Sequence, residues 1–298
     1  MFQTESKMSI KFAYFIQICQ NTDTRLIFCH KNILHRWEKR DSMIYELTNN
    51  MLPAAALFGG WDETLIWSCL QGIMGSVYAD DLNNPTAAMA VIGDFTFFAG
   101  KPNLELVSHK PDRCKQDFMI MVPQTESWKD MIIRFYGEKA KAVSRYAIKK
   151  EPEVFDRGKL EKAVASLPEG FTLSMIDERL YHLCRAEAWS ADLVSQFPDY
   201  EKYRELGIGA VVCRDGLPVS GASSYSRYRE GIEIEIDTRE DFRRKGLARV
   251  CGAKLILECL KRNLYPSWDA QNMASVSLAE KLGYHFSHAY TAVEIWGD

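Results

Sequence analysis

The apolar positions of the chain change period from one segment to the next, and each period names an element. Ile232, Ile234 and Ile236 alternate with Glu233, Glu235 and Asp237, which predicts a strand over 232–238 with one apolar face and one face of carboxylates. Leu247, Cys251 and Leu255 recur at helical spacing, so a helix follows and runs to about residue 261. Upstream, 208–213 and 219–228 read as strands around Arg214-Asp215-Gly216-Leu217-Pro218, where Asp-Gly supplies the left-handed geometry of a hairpin turn. Leu180, Leu183 and Cys184 mark a helix over 178–188, with a short one at 191–196. A further helix spans 273–282, between Asn272, a good N-cap, and Gly283, a natural stop.

The earlier part of the chain reads as mixed α and β. Helical spacing covers 63–71 and 127–136, and apolar strands are expected at 76–78, 88–98 and 118–122, the last ended by Pro123. The segment 140–148 alternates in part. Phe58-Gly59-Gly60-Trp61 is read as a tight turn with a buried tryptophan, because no Lys or Arg follows it to meet a phosphate. Tyr284, Tyr290 and Trp296 are expected to complete the sheet and core. The charged stretch 151–158, with its Pro and Gly, is the expected linker between an α/β domain over 43–158 and a second over 159–298. Residues 1–42 carry seven Lys or Arg against four Asp or Glu with no clear period. They are either an upstream extension, with Met43 as the start, or an element added to the first domain.

Composition removes several classes of function. A chain of 298 residues, 47% apolar, can bury one large or two medium cores. The net charge of −3 argues against bulk nucleic-acid binding, which needs a basic surface, and leaves a small-molecule or peptide partner. Eight cysteines show no C-x-x-C spacing and several fall on apolar helical positions, so they read as reduced thiols of a cytoplasmic protein. Six histidines have no ligand spacing, and no metal is expected. No apolar run reaches about eighteen residues, so no membrane span and no secretion signal are expected. The oligomeric state stays open.

The strongest chemical feature is Arg243-Arg244-Lys245-Gly246-Leu247-Ala248, set between the predicted strand and helix. A helix start leaves about four N–H groups without partners and carries a partial positive charge, so it suits a pyrophosphate. The pattern Arg243-x-x-Gly246-x-Ala248 resembles the acyl-CoA loop of the GNAT superfamily of N-acetyltransferases. Asn272-x-x-Ser275-x-x-Leu278-Ala279-Glu280-Lys281-Leu282-Gly283-Tyr284 resembles the second signature of that family, and the 266–270 strand resembles one bacterial subgroup.

The resemblance, over roughly residues 171–298, implies a mixed α+β sheet with the GNAT fold and a degenerate GNAT-like copy in the first half. That copy lacks a second Arg-x-x-Gly-x-Ala loop, and its expected role is to shape the substrate cleft. The family sheet splits after the third strand of the meander to admit pantetheine. Backbone groups of Ile236, Asp237 and Thr238 would pair with it, Arg243 to Ala248 would hold the pyrophosphate, and Asn272 and Ser275 would touch the same arm. Acetyl-CoA is the implied cosubstrate and an amine the acceptor. Glu233 or Glu235 would serve as general base, with Glu233 slightly preferred for lying further from the pantetheine end. Many family members carry a tyrosine acid where this chain has Ala279. Here the thiolate would be protonated by water, Tyr284, Tyr225 or Ser275, or leave unassisted. No Ser or Cys sits in a nucleophile motif, so direct transfer is expected. The alternative is a non-catalytic acyl-CoA sensor or a protein-docking module.

Overall fold

The same sequence of strand pairings occurs twice along the chain, and the order of the strands then interlocks the two copies. The computed structural model describes residues 43–48, 50–111 and 118–297, so the expectation for 1–42 lies outside the described residues. The first copy contains β1 (Tyr45–Leu47), α1 (Leu52–Ala55), α2 (Thr64–Leu70), β2 (Ser76–Ala79), β3 (Ala87–Ile92), β4 (Phe95–Gly100), α3 (Leu104–Ser108), β5 (Phe118–Pro123), α4 (Glu126–Tyr136) and β6 (Ala140–Ile148). β1 to β4 pair antiparallel in succession, and β4 then lies parallel to β5.

The second copy begins with α5 (Arg157–Ala165), β7 (Thr172–Met175), α6 (Glu178–Ala186), α7 (Tyr200–Leu206), β8 (Gly209–Arg214), β9 (Leu217–Tyr228) and β10 (Gly231–Thr238). It ends with α8 (Leu247–Lys261), β11 (Tyr265–Ser267), β12 (Asp269–Ala270), α9 (Met273–Lys281) and β13 (Phe286–Trp296). Again four strands pair antiparallel, and the fourth, β10, runs parallel to β11.

The eight-stranded sheet has the order β1-β2-β3-β4-β5-β13-β6-β12, and the five-stranded sheet β11-β10-β9-β8-β7. The last strand of the chain therefore lies between two strands of the first copy, while β6 of the first copy lies beside β12 of the second. The expected linker at 151–158 thus separates stretches of sequence that share one sheet.

The apolar run at 88–98 folds as a hairpin and not as one strand. Gly93 turns the chain at φ 55°, and a Cβ there would come within 2.0 Å of the Tyr225 hydroxyl. Because β3 and β4 are buried on both faces, their alternation is absent and the turn is hidden in a continuous apolar run. One core lies between the five-stranded sheet and α8 with α5, filled by Ile232, Ile234, Leu247, Cys251, Leu255 and Cys259. Tyr284 is buried as expected, whereas Trp296 is 55% exposed and rests on Phe118.

Candidate active site

The site forms where β10 loses one neighbour. β11 pairs with it only over Gly231 to Glu233. At Trp268 the chain turns away, and β12 pairs with β6 in the other sheet. The strand expected over 266–270 is therefore two pieces hinged at a buried tryptophan, which packs against Tyr284 and donates from Nε1 to Ser275 Oγ at 3.0 Å. A bulge in the β9 pairing falls between Glu233 and Ile234, where the split opens. Beyond it, Ile234, Glu235, Ile236, Asp237 and Thr238 line a cavity of about 1120 Å³ with one backbone edge unpaired. An unpaired edge offers alternating donors and acceptors, which an extended amide-bearing ligand can match like an added strand.

One end of this cavity is basic. Gly246 is the N-cap of α8 at φ 80° and brings no side chain to the first turn, which leaves the helix N–H groups open to an anion. A Cβ on Gly246 would meet nothing within 4 Å, so glycine is required by the backbone conformation and not by space. Arg243, Arg244, Leu247 and Ala248 surround the helix start together with Arg249 and Lys281. Lys245 turns away: its Nζ donates to the Asp241 carbonyl at 3.0 Å and sits 4.5 Å from the Phe242 ring centroid. Asn272 and Ser275 line the same cavity, with Asn272 Oδ1 also capping α9 at Ser275 N. Arg249 lies outside the loop motif, and Lys281 stands in the second signature without being singled out; both line the cavity because of how α8 and α9 are rotated.

Asp94, Asp192 and Glu235 gather around Tyr225, whereas Asp237 lies 3.8 Å from Arg243 Nη2 at the basic loop. Burial, and then the charges of Asp192 and Asp237, push Glu235 up to about 8. Burial and Asp192 push Asp94 up to about 6, and its Oδ1 is buried with no hydrogen-bond partner. The Asp94 N–H donates to the Tyr225 hydroxyl at 3.0 Å. Sequence reasoning missed Asp94 and Asp192 because they arrive from the turn between β3 and β4 and from the segment after α6, far from any motif.

Glu233 and Glu235 share a face of β10 but not an environment. Glu233 is 5% exposed and does not line the cavity. The Thr64 hydroxyl at the start of α2 donates to its Oε2, while Oε1 has no partner. Burial raises the pKa of both Glu233 and neighbouring Glu63, and Glu63 adds to the rise at Glu233. The structure therefore gives access to Glu235, the glutamate less favoured from sequence.

Ala279 is wholly buried in α9 and Tyr284 donates to the Pro266 carbonyl at 2.6 Å, so neither reaches the cavity. Of the hydroxyls considered as acids, Tyr225 and Ser275 do. Ser275 Oγ accepts from Trp268, which leaves its own proton free to donate.

In the first copy, hydrogen bonds bridge the end of β4 and the chain after β5. The Gln124 backbone N–H donates to the Phe98 carbonyl, and its side-chain Oε1 accepts from the Gly100 N–H, while the Gly100 carbonyl takes the Trp128 Nε1–H. The short α3 is capped by Asn103 through the N–H groups of Glu105 and Leu106. Among the described residues no group of three or more His, Cys, Asp or Glu could hold a metal, and no helix is long and apolar enough to cross a membrane.

Comparison with known proteins agrees with this architecture. The chain is 48% identical to a GCN5-related N-acetyltransferase-like protein from Streptococcus suis, whose crystal structure superposes with a TM-score of 0.77 over 83% of this chain and 98% of that one. It is 25% identical over 246 residues to the uncharacterized N-acetyltransferase YdfB of Bacillus subtilis, covering 76% of this chain and 88% of the relative. The family model described as GNAT acetyltransferase matches residues 55–293. With its split sheet, uncapped basic helix start and parallel β10–β11 pair, the chain belongs to the GNAT acetyltransferase family.

Proposed function

We propose that the protein is an acetyl-CoA-dependent N-acetyltransferase that transfers the acetyl group directly to an amine. The observation that carries this reading is one cavity along an unpaired strand edge that joins an open helix start flanked by Arg243, Arg244 and Arg249 to the carboxylates Asp94, Asp192 and Glu235 around Tyr225. The division of labour follows the two stretches of sequence. Residues 159–298 would bind the donor, and 43–158 would complete the acceptor wall through Asp94 in the β3–β4 turn and Phe95 on β4.

In this reading Arg243, Arg244 and Arg249, with the N–H groups of α8, hold the pyrophosphate, while Ile236 to Thr238 pair with the pantetheine amides. Asn272 and Ser275 flank the same arm. The carboxylates of Asp94, Asp192 and Glu235 attract a protonated amine by Coulomb attraction in a poorly solvated space. Glu235 then accepts the proton that the nitrogen must lose before it attacks the thioester carbon. The thiolate leaves and takes its proton from water or from Ser275. Holding amine and thioester together supplies much of the rate.

The test is calorimetric titration of acetyl-CoA into the wild type and Gly246→Glu, followed by thiol release across a panel of amines. Binding that is lost in Gly246→Glu, with turnover on at least one amine that falls in Glu235→Gln, is the expected result. Binding without turnover on any amine would leave a sensor, and absence of binding would remove the donor site altogether.

A further inference from the structure

A second cavity, of about 750 Å³, shares no lining residue with the first. Between them stands a chain of three side chains. The Tyr290 hydroxyl, from the second cavity, donates to Asp269 Oδ2 at 2.9 Å, and Arg145 Nη2 lies 2.6 Å from Asp269 Oδ1 on the side of the first. Trp61, Phe97 and Tyr290 give this second cavity an aromatic wall, with Trp61 and Phe97 meeting edge to face at 5.8 Å.

The polar group set into that wall is Glu63, which is 9% exposed. Its Oε1 caps α2 by accepting from Leu65 N at 3.3 Å, no described residue donates to its Oε2, and Glu63 lines the cavity. The cations nearby are engaged elsewhere. Lys150 Nζ donates to the Asp62 carbonyl at 2.8 Å and lies 3.6 Å from the Asp62 carboxylate, while Arg145 serves Asp269. A buried carboxylate with no counter-ion is costly, and aromatic faces beside it attract cations.

We propose that this second cavity binds an organic cation, an alkylammonium head group held by the Glu63 carboxylate among the rings of Trp61, Phe97 and Tyr290. The site is separate from the reacting cavity and stands even if the acetyl-transfer reading falls. The groups facing the Glu63 carboxyl are Glu233 on β10, Asp269 on β12, Arg145 and Lys150 at β6 and Tyr290 on β13. Burial, and then Asp269, hold its proton more tightly than usual against the opposing pull of Lys150 and Arg145. A bound cation therefore displaces that proton.

The experiment is calorimetric titration of n-butylammonium into the full chain near neutral pH, in two buffers of different ionisation enthalpy. 1-Pentanol serves as the neutral isostere. Saturable binding with proton release is expected, weakened by about tenfold or more in Glu63→Gln and in Trp61→Leu and unchanged in Asp94→Asn. Equal binding in Glu63→Gln, equal binding of pentanol, or no saturation at millimolar concentrations overturns the proposal. Loss in Asp94→Asn alone overturns it too, because it assigns the cation to the reacting cavity. Should Glu63→Gln fail to fold, Trp61→Leu decides, since it keeps the carboxylate and removes the ring. Acetyl-CoA binding in the same samples reports separately on the acetyl-transfer reading.

Discussion

Glu235 holds its proton up to about pH 8 because burial and the charges of Asp192 and Asp237 disfavour the anion. A base works only when deprotonated, so thiol release is expected to rise with pH through that value. Glu235→Gln is expected to lower kcat by roughly 10²–10⁴-fold and to flatten that limb. A rate profile in which the variant keeps the same rise would assign it to the acceptor's own ionisation. Stability runs the other way. The folded carboxyl binds a proton that the unfolded one, at its ordinary value of 4.5, has lost. Its contribution is therefore full below the unfolded value and lost as pH rises through about 8. Thermal melts between pH 6 and 9 should show the wild type losing ground to Glu235→Gln. The alternation of isoleucine and carboxylate was legible in the sequence; the choice of carboxylate was not. Glu233 is covered by Thr64, which is 169 residues away.

At the scale of the element, the start of α8 is the clearest case of a local code. Gly246 adopts φ 80° and leaves the first turn without a side-chain cap, and both features follow from one glycine in a basic run. Which cations serve the loop depends on tertiary geometry. Lys245 is committed to Asp241 and Phe242, whereas Arg249, one turn into the helix, lines the cavity. Arg249→Ala is therefore expected to weaken acetyl-CoA binding several-fold, on the order of 1 kcal/mol for one charge-assisted contact. Lys245→Ala should leave it nearly unchanged. Calorimetry on the two variants checks this, and the reverse order would place Lys245 on the phosphate. The strand at 266–270 was likewise legible as a strand, but its break at Trp268 was not, because the break exists only to join two sheets.

At the scale of the whole molecule, the two copies are tied by exchange of position, with β13 between β5 and β6 and β6 beside β12. The Arg145–Asp269 pair crosses this junction with both side chains 9% exposed. The Arg145 guanidinium also lies 4.8 Å from the Phe95 ring centroid. Removing one member strands a buried charge, so Arg145→Met is expected to cost about 3–5 kcal/mol in urea unfolding. Replacing Asp269 by Leu as well should recover much of that loss. If the double variant stays as unstable as the single, the damage comes from packing and not from the stranded carboxylate.

The sequence by itself determined what depends on neighbours a few residues apart: the alternation of β10, the helical spacing of α8, the Asp-Gly hairpin, the glycine of the anion loop and the caps of α9. Each is set by local backbone geometry and by the period at which apolar side chains return to one face. Tertiary structure decided where the strands go and what each polar group meets there. The hairpin at Gly93, the split at Trp268, the meeting of Asp94 and Asp192 with Glu235, and the burial of Glu233 under Thr64 all join segments distant in the chain. Their energies come from burial and long-range Coulomb interaction, and neither is fixed until the two sheets close on one another.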